Sequence, residues 1–291
     1  MCPAMRGQLF VISLVAAASL CTACLGQERA LPGVADTGPT PPAPGWPVAA
    51  TTTTSSASGG ARATGSTTTS TSSTTSSTTS VPPPRTVHYP TTPVTPLPRG
   101  SIQVFSRIDT ADPVVFLTLD DGIVRDPRII PLLAEHGATA TLFLNSGPLN
   151  LDPEYFQQFI AAGGSVNSHT FQHPNLPQLD LTTQRQQICG MADQIEATYG
   201  SAGHFFRPPY GEFDDNTLIA ARGCGLRAVL LWRVSLNNGG YQTWGGRPIA
   251  AGDIILGHFR DDLYENLVVL FAELDRLGLT VASLEDYLPA A

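Results

Sequence analysis

From Ser101 onward, short β-favouring apolar runs alternate with stretches in which apolar residues recur every three or four positions. Val114 to Leu119 reads as a buried strand bounded by Asp112-Pro113 and Asp120-Asp121-Gly122. A helix is predicted from Asp126-Pro127 to about His136, with Gly137 suited to a left-handed cap. Further strands are expected over 139–144, 164–167, 204–206, 227–231, 253–256 and 279–282. Helices are expected over 153–162, over 182–199 with Thr182-Thr183 near its start, and over about 214–222 and 262–277. Strands alternating with helices imply a parallel sheet. About seven strands in about 190 residues are too few for eight full β/α units. The expected fold class is therefore α/β: a partly closed (β/α) barrel of about seven parallel strands. A doubly wound open sheet is the runner-up, because strand order is not written in a single sequence.

The first third has no such periodicity. A basic start, an apolar run from Leu9 to Leu20 and then Cys21-Thr22-Ala23-Cys24-Leu25-Gly26 have the layout of a secretory signal, so residues 1–26 are read as an export segment. The apolar run is short for a bilayer span. Leu20-Cys21-Thr22-Ala23-Cys24 also resembles a bacterial lipobox with its Leu displaced by one. Lipid anchoring through Cys24 and ordinary cleavage nearby stand as equal alternatives. Residues 27–100, rich in Thr, Ser, Pro and Ala, cannot bury enough apolar surface to offset ordering entropy and are read as a disordered linker. That leaves 101–291 as the folded domain, secreted or extracytoplasmic and expected to be a monomer. Only Cys189 and Cys224 remain in it, and they either form a disulfide or lie buried as unlinked small hydrophobes. The net charge of -8 and the lack of any basic run argue against a nucleic-acid partner.

In parallel α/β folds catalytic groups sit just past the C-terminal ends of strands. Asp120 and Asp121 follow the first expected strand, His169 the third, Arg207 the fourth, and His258 the strand ending at Leu256, so all fall on one rim. His169 and His173, four residues apart, can face one ion. With Asp121 as a third ligand they form a set common for zinc, cobalt or another first-row divalent ion, with positions left open for water and substrate. Asp120 is then free to take a proton from water. Two prolines fix the loop Arg207-Pro208-Pro209-Tyr210-Gly211, so Arg207 can hold a carboxylate while the Tyr210 N–H faces a developing oxyanion. His258 is placed to protonate a leaving amine.

Together these motifs resemble the polysaccharide deacetylase (NodB homology) family, carbohydrate esterase family four, over about Val114 to Leu288. The matching segments are Leu117-Thr-Leu-Asp120-Asp121-Gly122, His169-Thr-Phe-Gln-His173-Pro174, Arg207-Pro-Pro-Tyr-Gly211 and Leu256-Gly-His258. The resemblance implies removal of N-acetyl groups from glucosamine polymers such as peptidoglycan or chitin, or of O-acetyl groups from xylan. It further implies Asp120 as base and Asp121, His169 and His173 as metal ligands. Arg207 would orient Asp120, Tyr210 would bind the oxyanion and His258 would be the acid. Leu256 would line the acetyl pocket, with Trp232 and Pro208 in the substrate pocket. One motif departs: where the family has Asp-x-x-Asp-Trp, this chain has Ser235-Leu-Asn-Asn238-Gly239, and the Trp is missing unless Trp244 folds back into its space. Loss of both carboxylates should lower the pKa of His258. A glycan-binding lipoprotein that lost turnover is therefore the second reading, and a hydrolase of another acyl or C–N bond the third.

Overall fold

The computed structural model describes residues 90, 91 and 94–291. The signal segment, Cys24 and most of the linker lie outside the described residues. The strands are β1 (Gln103–Phe105), β2 (Val114–Asp121), β3 (Thr141–Leu144), β4 (Ser165–Ser168), β5 (Phe205–Phe206), β6 (Ala228–Leu230), β7 (Val234–Asn237), β8 (Gly240–Thr243), β9 (Ile254–His258) and β10 (Thr280–Val281). The helices are α1 (Ile129–Glu135), α2 (Ser146–Leu151), α3 (Pro153–Ala161), α4 (Leu181–Tyr199), α5 (Asp215–Gly223), α6 (Leu263–Leu277) and α7 (Leu284–Tyr287).

The sheet runs β1-β6-β5-β4-β3-β2-β9-β7-β8, with β10 beside the start of β2. From β2 to β6 the chain steps one strand at a time in a single direction, and β9 returns to the other side of β2. That winding belongs to a barrel; a doubly wound sheet reverses direction at a switch point. All pairings are parallel except β7 with β8, and the path ends at β1 and β8 without joining, so the barrel is only partly closed. Ten strands stand where about seven were expected. The additions are β1 and the β7–β8 hairpin, whose short, half-exposed strands carry little apolar signal.

Alternation along β2 explains how the sheet makes both a core and a site. Val115, Leu117 and Leu119 pack outward with Leu132, Phe156, Phe159 and Leu270 from the helices. Val114 and Phe116 point inward, against Phe143, Phe205, Leu230 and the C-terminal Leu284 and Tyr287. The inward row continues as Thr118 and Asp120, so the interior turns from apolar to polar on approaching the rim. Burying the β2 side chains contributes about 1.5–3 kcal/mol for each large apolar one.

Several helix ends differ from expectation by a turn or less, for local reasons. α1 begins at Ile129 because the Asp126 carboxylate accepts the Arg128 N–H at 2.9 Å and holds Asp126-Pro127 as a turn. α4 is capped by Asp180, which accepts from Thr183 N–H at 2.7 Å. Gly137 does take the left-handed conformation after α1. Cys189 on α4 and Cys224 after α5 are joined as a disulfide. Packing also starts before Ser101: Leu97 is buried and bonds through its N–H to Pro289 O at 2.8 Å, and the Thr91 N–H bonds to Asp112. No helix among the described residues is long and apolar enough to cross a membrane.

Candidate active site

The chemistry gathers where β2, β4, β5 and β9 end. Asp120 lies opposite Phe143 on β3 and His258 on β9 by strand register. Strict alternation would turn Asp121 outward. Its φ of 72° breaks the alternation, so both carboxylates reach one imidazole: His169 Nε2 is 3.8 Å from Asp120 Oδ2 and 3.7 Å from Asp121 Oδ1. Gly122 then continues at φ 89° with Phe156, Leu144 and Pro148 so close that a Cβ would overlap them.

His169 and His173 sit on the turn after β4. His173 Nε2 is 3.5 Å from Asp121 Oδ1, and one ligand atom from each of Asp121, His169 and His173 lies within 4.8 Å of the others. His169 Nδ1 is 2.8 Å from Arg207 O. A carbonyl can only accept, so Nδ1 carries the proton and Nε2 is left with its lone pair toward the carboxylates. Burial, the largest cause, pushes the His169 pKa down to about 3, the Asp121 charge working the other way. A neutral ring with a free Nε2 beside a carboxylate is the donor set a divalent ion requires.

Arg207 is fully buried and fixed on four sides. Nη1 donates to Asp120 Oδ1 at 2.8 Å and to Thr118 Oγ1 at 2.7 Å, Nε to Leu230 O at 2.9 Å, and Nη2 to Leu231 O at 3.3 Å. Burial lowers its pKa while Asp120 works to raise it. Phe143 lies 4.4 Å and Trp232 5.7 Å from the guanidinium carbon. Tyr210 has φ 64°, and its hydroxyl is 3.3 Å from His173 Nδ1. Pro208 and Leu256 are buried beside these groups, Leu256 directly across from Thr118. Burial, the largest cause, also lowers the His258 pKa, as does the Arg260 charge, while Asp120 and Asp121 oppose the shift.

The structure brings Asp120, Asp121, His169, His173, Arg207 and Tyr210 into contact and sets His258 beside Asp120. Trp244 does not fold back: it stacks on Arg233 with 44% of its surface exposed. Ser235 lies across from Leu256 on β7, while Asn238 forms the hairpin turn and gives its N–H to Asp262 at 2.9 Å. One positioning residue escaped the sequence reading. Asn145, buried after β3, donates through Nδ2 to His169 O at 2.6 Å and Thr170 O at 2.9 Å, and its own N–H reaches Asp121 O at 3.4 Å. Its place at a strand end is the signal that pointed to the others, but an amide carries no charge to single it out.

A partly closed barrel with acids and imidazoles at its strand ends defines the class, and the comparisons narrow it. The polysaccharide deacetylase profile matches residues 107–229. An uncharacterized protein of Streptomyces coelicolor is 37% identical over 194 residues, 64% of this chain and 77% of that protein. A peptidoglycan-N-acetylglucosamine deacetylase of Bacillus cereus is 34% identical over 106 residues, which cover 36% of this chain and 38% of the relative. The fold is shared with a solved carbohydrate esterase family 4 pseudoenzyme from Bacillus anthracis, at a TM-score of 0.57 and 23% identity over 63% of this chain and 68% of that one. The chain belongs to the polysaccharide deacetylase family.

Proposed function

We propose that the protein is a metal-dependent hydrolase that removes acetyl groups, N-acetyl first and O-acetyl as an extension, from an extracellular or cell-wall polysaccharide. One observation carries this reading: the convergence of Asp121, His169 and His173 beside an Asp120 that Arg207 holds in place. Zinc suits this donor set first, and cobalt or another first-row ion also fits. A divalent ion held there would polarise the acetyl carbonyl as a Lewis acid.

The chain's own groups supply the rest. Asp120 Oδ1 is occupied by Arg207, so Oδ2 takes the proton from the attacking water. The Tyr210 N–H, aimed by the positive φ, stabilises the negative charge on the acetyl oxygen. His258, in register with Asp120, gives a proton to the departing sugar nitrogen as the C–N bond breaks and acetate forms. Leu256, Trp232 and Pro208 wall the acetyl group. The polymer is the partner, and the protein acts as a monomer outside the cytoplasm, with a lipid on Cys24 as a means of membrane attachment.

The test is acetate release from peptidoglycan, chitin oligomers and acetylated xylan side by side. Release is expected to vanish on chelation and in Asp120→Asn, and to return in the wild type with metal. No release from any of the three after metal is restored would sink the proposal. A glycan-binding protein without turnover is favoured by a separate observation: Ser235 and Asn238 bring no charge to support His258, while Arg260 lowers its pKa further. That reading expects glycan binding without acetate, and a gain of release in Ser235→Asp.

A further inference from the structure

The barrel's seam, between β1 and the β7–β8 hairpin, holds a cluster of arginines beside a tryptophan. Arg107 forms a backbone bridge with Asp253, and among the described residues its side chain donates only to Ala251 O, through Nη2 at 3.4 Å. Arg233 bonds through its N–H to Ile254 O at 2.9 Å and through Nε to Ser106 Oγ at 3.0 Å. Arg247 grips Asp253 through both guanidinium nitrogens, at 2.9 and 2.6 Å. Trp244 lies 4.6 Å from the Arg233 guanidinium carbon.

Three arginines thus gather at one buried carboxylate, Asp253, which is committed to Arg247 and to the Ala250 N–H. Among the described residues, no other carboxylate pairs with any of the three. Arg247 and Arg107 face Arg233 closely enough that, after burial, their charges add to the lowering of its pKa. Like charges held together this way are relieved by an anion, and the planar fork of arginine matches the oxygen pairs of carboxylates and phosphates. The exposed part of Trp244 adds a flat apolar surface beside them.

We propose that this seam binds an anionic polysaccharide, its carboxylate or phosphodiester groups held by Arg107 and Arg233 and a sugar ring laid against Trp244. Arg233 is level with Ile254, four residues before His258 along β9, or about 13 Å at strand rise. That separation makes the seam a second site, distinct from the acetyl pocket. The chain's net charge of -8 opposes nonspecific attraction of polyanions.

The test is calorimetric titration of the metal-free full-length protein with polygalacturonate, with poly(glycerol phosphate) and with neutral dextran. Because no metal is present, the outcome is independent of acetate release. At least one polyanion should bind, weakening as salt rises, while dextran should not. The preferred polyanion tells carboxylate from phosphodiester recognition. Arg233→Gln, Arg107→Gln and Trp244→Ala should each weaken binding about tenfold, or about 1.4 kcal/mol, and Arg276→Gln on α6 should leave it unchanged. Arg107 is exposed and makes one long bond, so its variant tests the site without endangering the fold. Absence of polyanion binding, or binding equally strong in Arg107→Gln and Trp244→Ala, would overturn the proposal.

Discussion

Five non-glycine residues among those described have positive φ: Asp121, Thr170, His173, Tyr210 and Asn238. Four of them belong to the candidate site, and such conformations cost about 1–3 kcal/mol each where the surroundings must impose them. Asn145 supplies part of that constraint by holding the two successive carbonyls of His169 and Thr170. Asn145→Ala should cost about 1–3 kcal/mol in chemical denaturation, because two buried carbonyls lose their donor. Zinc affinity, measured by competition with a chromogenic chelator, should fall about tenfold or more. His169 yields a pH prediction. Its folded pKa of about 3 lies below the ordinary 6.5, so the unfolded chain binds more protons between those values. The metal-free protein should be most stable above pH 6.5 and lose stability as the pH falls toward 3, with His169→Gln removing much of that dependence in melting curves. The charged and imidazole groups of the site were legible in the sequence because strand ends in an α/β fold point to one rim. The backbone reversals that bring them together were not, since Asp121 and His173 look like ordinary residues until their φ values are seen.

At the level of elements, the site loops are tied to helices behind them. The Phe171 N–H bonds to Gln187 O at 2.9 Å and the Ser168 hydroxyl to Ile188 O at 3.3 Å, immediately before Cys189. Cys224 joins that stretch of α4 to the end of α5, which follows the Arg207–Gly211 loop. Replacing both cysteines by Ser removes a crosslink spanning 35 residues and should cost about 3–4 kcal/mol, read as a lower denaturation midpoint. The continuous apolar strands, β2 above all, were plain from their pattern, and each expected helix has a counterpart within a turn. The β7–β8 hairpin was not, because Ser235, Asn237, Gly240 and Gln242 alternate with too few apolar residues to register. The Cys pair could be counted in the sequence, but its linkage required the packing of α4 on α5.

At the level of the molecule, strand order decides between fold alternatives that the sequence left open, and it also creates the arginine seam. Arg107, Arg233 and Arg247 are scattered along the chain and formed no basic run, so only the fold could bring them to one place. Closure at the base depends on Leu97, buried among Leu284, Leu288 and neighbours. Leu97→Ala should cost about 2–5 kcal/mol, measured by denaturant titration, without changing zinc affinity. Leu97 pairs with Ala290, and Arg227, just ahead of β6, reaches the carbonyls of Leu97 and Ala291 at 3.0 and 2.8 Å. Both ends of the folded body therefore emerge by the strand starts, on the side away from the histidines. A surface or bead joined at Ala291 would hold the protein from behind and leave its working edge turned outward.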